Sequence, residues 1–255
     1  MAMLRGMRGP PVRIAELCDV SLILPAYNEA ATIASTIREA GSYFRSRELR
    51  YEIIVAADGD DGTRELARET ASQGEPVRVI GNQARSGKGR GVREAMALAR
   101  GSIAGYADAD NKVPIAEFDK FRPWLSASSG QRYDVAIGSR AMHDSEIEKQ
   151  QPLYRQLGGK AFGLFMHAVV GLQGITDTQC GFKFFTREAA REVFSRQQID
   201  GYMFDVEILV LARRLGYRIQ QVPIRWHDDG DSRLAMLSGN LRSVVDIFRI
   251  RAGTL

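Results

Sequence analysis

Short apolar runs alternate along this chain with longer stretches in which apolar residues recur every three or four positions. Val20 to Leu24 is the first run, and Pro25 is expected to stop it. Beyond it Ile33, Ile37 and Phe44 share one helical face, with Asn28 placed to cap the helix. Residues 51–57 form a second run, followed by an acidic, glycine-containing turn and another helical pattern. The third unit predicts a strand at 77–80 and a helix over about 89–100, with Gly101 as its cap. A fourth strand at 102–107 leads into a second acidic turn and a helix starting near Pro114.

Three strand–helix units in the first 125 residues predict an α/β fold, a mostly parallel central sheet with helices on both faces. Ligands of such sheets bind outside the carboxyl ends of the strands. The turns PAYNE, ADGDDGT, GNQARSGKGRG and DADNK each follow a strand and so converge on one rim. In the second half, DVAIGSR reads as a strand, and the stretch 152–172 as one or two amphipathic helices. DTQCGFKFFTREAAREVF reads as turn, strand and helix, and GYMFDVEILVLARRLGYRIQQVPIRW as helix and strand. The last segment, 234–251, puts Leu234, Leu237, Leu241, Val244, Val245 and Phe248 on an apolar stripe with Arg242, Arg249 and Arg251 nearby.

Composition narrows the function. With 255 residues, 44% of them hydrophobic and 26% charged, the chain fits one large α/β domain or two small ones. The net charge of +4 and pI of 9.2 come without runs of like charge. That balance does not indicate nucleic acid and suits phosphorylated ligands or an anionic lipid surface. Cys18 and Cys180 lack metal-type spacing and point to the reducing cytosol. The basic N-terminus has no apolar core of the signal-peptide kind. The longest apolar stretch, Ala161 to Leu172, is shorter than the roughly 20 residues a membrane span needs. The expected location is cytoplasmic, with at most peripheral contact to a membrane.

The clearest candidate chemistry is Asp108 and Asp110, one residue apart at a predicted strand end. At about 4 Å, two ionised carboxylates repel by on the order of 4 kcal/mol near a protein surface. Mg²⁺ or Mn²⁺ bound to a nucleoside diphosphate would offset this, because hard cations take carboxylate and phosphate oxygens. GKGRG is not the phosphate loop of kinases, and no G-x-G-x-x-G follows the first strand, which disfavours a dehydrogenase.

LPAYNEA, ADGDDGT, GKGRGVREAM and ADAD, in this order and at these spacings, resemble glycosyltransferase family 2, nucleotide-sugar transferases of the GT-A fold. The resemblance continues through GSR at 138–140, DTQCGFKFF at 177–185, FDVEILVLARRLGYRIQQVPIRW at 204–226 and GDSR at 230–233. It covers about residues 19–250 and is greatest to the dolichyl- or polyprenyl-phosphate hexose synthases. It implies a basic extension over 1–18 and one domain over 19–255, with a nucleotide-binding half at 19–125 and an acceptor half at 126–255.

The resemblance also implies roles. Pro25, Ala26, Tyr27 and Glu29 match the motif that frames the nucleoside. Asp58 matches the acid that contacts base or ribose. Lys88 and Gly89 match the glycine-rich loop near nucleotide and sugar. Asp108 and Asp110 match the D-x-D pair, with Asp110 the direct metal ligand, and His227 lies where some relatives complete the metal site. Asp205 falls where transferases to hydroxyl acceptors carry a catalytic base, and its other reading is an acid favoured at a helix N-terminus. Arg140, Lys183 and Arg233 are placed to hold an acceptor phosphate, with Asp177 to orient them. The chain departs from the family in AADGDDGT, where one aspartate is alanine, leaving Asp58 and Asp60 as competing base contacts. It also departs in DADNKVP, where Asn111 follows the pair in place of the usual residues.

The activity implied is a metal-dependent, inverting transfer of a hexose from UDP-glucose or GDP-mannose to a polyprenyl or dolichyl phosphate. Two rivals stand beside it. One is a transferase to a soluble hydroxyl acceptor with Asp205 as base. The other is a non-catalytic nucleotide-binding protein on the same fold, supported by the altered second turn. The absence of Q-x-x-R-W argues against a processive polysaccharide synthase.

Overall fold

The apolar runs become strands of one sheet. The computed structural model describes residues 18–126, 133–147, 169–227 and 241–253. In chain order the first half gives β1 (Cys18–Tyr27), α1 (Ile33–Ser46), β2 (Tyr51–Asp58), α2 (Thr63–Ser72), β3 (Val77–Ile80), α3 (Lys88–Leu98) and β4 (Gly101–Ala107). A 3₁₀ turn, Ile115–Glu117, leads into α4 (Phe118–Leu125). Then come β5 (Val135–Ser139), β6 (Glu146–Ile147), β7 (Phe182–Thr186), α5 (Arg187–Arg196) and α6 (Phe204–Arg214). The chain continues with β8 (Ile219–Pro223), β9 (Arg225–Trp226) and α7 (Leu241–Ala252).

Seven strands form one sheet in the order β3-β2-β1-β4-β7-β5-β8, and β6 pairs with β9 apart from it. β1 runs parallel to β2 and β4, β2 to β3, and β5 to β8. Only β7 is antiparallel, to β4 and β5, so the sheet is mostly parallel as expected. The helices cover both faces because successive strand residues point to opposite sides. Leu22, Leu24, Ile53, Val55 and Phe184 pack toward α1 and α4. Ile23, Ile54, Tyr106, Ile137 and Phe185 pack toward α3, α5, α6 and α7. Phe184 is fully buried, with ring centroids of Phe118 at 4.6 Å and Phe182 at 5.0 Å. Truncating such an aromatic to alanine costs about 3–5 kcal/mol.

Three local expectations are corrected. Pro25 does not stop β1 and pairs in register with Ala56. Pairing of β1 with β4 ends at Ile23, so the missing N–H falls where β1 has one neighbouring strand instead of two. Asn28 does not cap α1: it takes a left-handed conformation (φ 54°), and the helix begins after Thr32. Gly101 does not cap α3 either, because the backbone is already extended at Ala99 and Gly101 opens β4. The amphipathic stretch 152–172 lies outside the described residues up to 168, as do Leu234 and Leu237 of the last segment.

Candidate active site

The register of β1 and β2 brings Tyr27 beside Asp58, and β4 ends at Ala107, one residue before Asp108. The rim predicted from the four turns is therefore real. It holds a cleft of about 340 Å³. Pro25, Ala26, Tyr27 and Glu29 line it from β1 and the turn after it, and Asp58 lines it from β2. Lys88, Asp108, Asp110 and Lys112 form its charged floor, and Arg140, Asp205 and Trp226 reach it from the second half.

The floor holds two lysines and two aspartates that are paired unequally. Lys88 Nζ lies 2.6 Å from Asp108 Oδ1. Burial pulls the Lys88 ammonium down, but the carboxylates of Asp108 and Asp205 outweigh it and hold the group above its ordinary value. Among the described residues Asp110 receives the Lys112 N–H at 3.3 Å and the Lys112 ammonium at 3.5 Å. Burial, then the Asp108 charge, push the Asp110 carboxyl above the usual carboxylate range. Among the described residues Asp110 is thus held by longer contacts than Asp108, whose carboxylate meets Lys88 directly.

A second charged pair lies at the cleft wall contributed by the second half of the chain. Arg140 Nε and Nη2 donate to the two oxygens of Asp177 at 2.7 and 2.9 Å, and the Arg140 N–H adds a third bond at 3.0 Å. Burial pushes the Asp177 carboxyl up, but Arg140 outweighs it and brings it to about 2. The guanidinium also stacks 5.5 Å from the Trp226 ring. Arg140 is thereby fixed in one orientation at the cleft wall, as a bidentate arginine–carboxylate pair dictates.

Several sequence-based assignments change on this geometry. Of the competing base contacts, Asp58 lines the cleft and Asp60 is exposed outside it. The Asp58 oxygens accept the Asn82 N–H at 3.1 Å and the Ser86 N–H at 2.6 Å, which anchors the loop leading to α3. Gly89 is buried and does not line the cleft: its N–H donates to Asp200 O at 2.8 Å. Lys183 is fully buried and points inward, not toward an acceptor. Its ammonium bonds Asp205 Oδ1 at 2.5 Å and Cys180 O at 2.7 Å, and the Tyr106 hydroxyl donates to the same Asp205 oxygen. Arg233 lies outside the described residues.

Of the candidate metal ligands, His227 does not line the cleft, and its N–H donates to Lys112 O at 2.9 Å. Among the described residues, no group of three or more His, Cys, Asp or Glu side chains could hold a metal ion. Asn111 does not turn to the pair: it is left-handed (φ 56°), and its amide donates to Glu39 at 2.7 Å. The residues that fit a divalent ion are Asp108 and Asp110. Both are hard oxygen donors, and burial with the neighbouring Asp108 charge, which push the Asp110 carboxyl above the usual carboxylate range, are what a cation would offset.

The sequence reading missed three participants. The Arg85 guanidinium sits 4.4 Å above the Tyr27 ring and donates to the Tyr202 hydroxyl at 2.8 Å, joining three lining residues. Gly181 lies against Asp108, where a Cβ would meet Asp108 Oδ2 at 2.0 Å. Only glycine lets β7 approach the acidic turn that closely. Trp226, the last residue of β9, gives Arg140 its stacking surface. The signal for Gly181 was present, a glycine next to the aromatic run FKFF, but its partner lies across the sheet.

Comparison with known proteins follows this geometry. Residues 21–194 match the description of Glycosyl transferase family 2. The chain is 33% identical over 238 residues to a dolichyl-phosphate beta-glucosyltransferase of Trichomonas vaginalis, covering 90% of this chain and 70% of that one. It is 31% identical over 251 residues to the enzyme of the same name from Saccharomyces cerevisiae, covering 92% and 75%. Glucosyl-3-phosphoglycerate synthase from Mycobacterium tuberculosis, solved with Mn²⁺, UDP and glucosyl-3-phosphoglycerate, superposes with a TM-score of 0.69 at 21% identity, covering 97% and 87%. Mannosyl-3-phosphoglycerate synthase from Rubrobacter xylanophilus gives 0.67 at 21% identity, covering 93% and 76%. These solved structures establish the GT-A fold.

Proposed function

The chain belongs to glycosyltransferase family 2 and is a glycosyltransferase, and from that premise we propose that it moves glucose from UDP-glucose to a polyprenyl or dolichyl phosphate. The observation that carries this reading is the pairing, in one cleft, of the adjacent Asp108 and Asp110 carboxylates, Asp110 held by longer contacts, with an Arg140 fixed by Asp177. The first suits a nucleoside diphosphate and a divalent cation. The second suits a phosphate acceptor. The glucosyltransferase relatives favour glucose over mannose, and the Mn²⁺ and UDP of the superposed synthase favour uridine over guanosine.

In this reading Tyr27 and Asp58 hold the nucleoside, and Lys88 meets the diphosphate. Asp110, with Asp108, would hold Mg²⁺ or Mn²⁺ beside the diphosphate. The metal supplies charge stabilisation for the departing nucleoside diphosphate. An acceptor phosphate oxygen held by Arg140 forms the new bond to the anomeric carbon from the opposite face. The bond from that carbon to the diphosphate breaks, and UDP leaves with its electron pair. Residues 19–125 serve the donor and 126–255 the acceptor within one domain.

The phosphate acceptor is preferred to a hydroxyl on the state of Asp205. A hydroxyl needs a base, whereas a phosphate is already ionised near neutral pH. The same Asp205 oxygen accepts both the Tyr106 hydroxyl and the buried Lys183 ammonium, so it is already engaged inside the protein instead of held open toward an acceptor. A lipid acceptor is supported by α7, which exposes Val244 (39%), Val245 (45%) and Phe248 (55%) beside exposed Arg249 and Arg251. Apolar residues flanked by arginine suit peripheral contact with an anionic bilayer. Among the described residues, no helix is long and apolar enough to cross a membrane.

The test is incubation with UDP-glucose or GDP-mannose, Mg²⁺ or Mn²⁺, and a short-chain polyprenyl phosphate, with the product read by mass. A polyprenyl-phosphate hexose that also forms with Asp205→Asn supports the reading. Transfer only to a soluble hydroxyl acceptor, abolished by Asp205→Asn, would replace it with the first rival.

A further inference from the structure

Behind the charged floor lies a buried carboxylate that the proposed chemistry does not use. Glu207, on α6, is fully buried. Its two oxygens accept the Gln198 N–H at 2.6 Å and the Ile199 N–H at 2.9 Å. It thereby fixes the turn between α5 and α6. That turn is pressed against the start of α3. The Asp200 carbonyl accepts the N–H groups of Gly89 at 2.8 Å and Arg90 at 3.3 Å, two amides that the first helical turn leaves without an internal partner. The Gln197 amide donates to Gly89 O and Ile199 O, both at 2.9 Å, and Arg93 reaches the Asp200 carboxylate at 2.7 Å.

The fit leaves no slack. A Cβ on Gly89 would meet Ile199 O at 2.3 Å, and one on Gly87 would meet Asp200 O at 2.3 Å. The residue between these glycines is Lys88, whose ammonium lies on Asp108. Stability alone does not account for this assembly. Burial pushes the Glu207 carboxyl upward, and Gln197 Oε1 is buried without a hydrogen-bond partner. Both features cost folding free energy.

We propose that Glu207 is a positioning residue for the donor diphosphate: through the 197–200 turn it sets the start of α3, and so the place of the Lys88 ammonium at the cleft floor. The inference rests on the reading that the cleft takes a nucleoside diphosphate. It requires α3 to meet that ligand chiefly through the Lys88 side chain, because the Gly89 and Arg90 amides are already engaged by Asp200.

The test compares the full-length chain with Glu207→Gln, which keeps one accepting oxygen, Glu207→Leu, which keeps none, and Gln197→Leu. The last leaves the carboxylate in place and carries the comparison if the first two do not fold. The KM for UDP-glucose rises several-fold for Glu207→Gln and more for Glu207→Leu, while the KM for the acceptor stays within twofold. Amide hydrogen exchange at Gly89 and Arg90 accelerates about tenfold in the ligand-free variants, a readout that needs no nucleotide. Folded variants with unchanged exchange at these two amides, or with donor and acceptor KM rising together, overturn the proposal. A wild-type chain that binds no UDP, with exchange still accelerated in the variants, overturns the nucleotide reading and leaves the control of the α3 start by Glu207 standing.

Discussion

Glu52 and Asp110 are buried or half-buried carboxylates at opposite ends of the same parallel strands, and they are treated in opposite ways. Glu52, near the amino ends, accepts Ser21 Oγ at 2.6 Å, the Arg100 N–H at 2.7 Å and the Arg100 guanidinium at 2.9–3.0 Å. Burial pushes its carboxyl up, but these bonds outweigh burial and hold it below the usual range. Asp110, beyond the carboxyl ends, has long contacts to one lysine and a like charge beside it, and its carboxyl is pushed up. One end has been completed by the protein. On the proposed function the other is completed by a ligand. A buried carboxylate is therefore not a site by itself; a carboxylate left short of partners at a cleft floor is.

The sharpest contrast comes from neutralising each in turn. Asp110→Asn is expected to lower transfer by about 10²–10³-fold, the scale of losing one charge-stabilising group. Its melting temperature stays level or rises, since a repelling charge is removed. Steady-state assay beside a thermal scan reads both. Glu52→Ala is expected to do the reverse. It leaves Arg100 and Ser21 without their acceptor and costs about 3 kcal/mol, a fall of roughly 6–12 °C for a chain this long. Its kcat/KM, measured well below the transition, stays within twofold.

Arg140→Lys gives a smaller effect. A point charge replaces a fork that stacks on Trp226 and grips Asp177, so the acceptor KM rises about tenfold, about 1.4 kcal/mol, and the donor KM does not move. The smallest effect is on pH dependence. Asp177 has a folded value of about 2 against an ordinary 3.8, so its stabilisation is complete above 3.8 and is lost as pH falls toward 2. Glu52, also lowered, loses its contribution as pH falls below its ordinary 4.5. Urea unfolding across that window should show a flatter acid limb in Glu52→Gln and Asp177→Asn than in the wild type.

The parallel half of the fold was legible because VSLIL, YEIIVAA and SIAGYA are apolar over most of their length, as strands buried on both faces tend to be. The rim was legible because polar turns follow those strands. What could not be read was pairing across the sheet. Ser21, Glu52 and Arg100 are separated by 31 and 48 positions, and nothing local marks them as one network. The motif reading places Lys183 on an acceptor phosphate, yet it sits among Phe182, Phe184 and Phe185 in a strand with neighbours on both sides. That context forces its ammonium onto a buried partner, Asp205. Pro25 misled for the opposite reason, since its cost depends on where the neighbouring strand ends.

The most direct measurement is calorimetric titration of UDP into wild type, Asp110→Asn and Glu52→Gln, each with and without Mn²⁺. Binding that requires Mn²⁺ in the wild type, persists in Glu52→Gln and disappears in Asp110→Asn is the predicted result. UDP binding that is indifferent to Mn²⁺, or that survives in Asp110→Asn, would contradict the account: Asp110 would then be no more open to a ligand than Glu52.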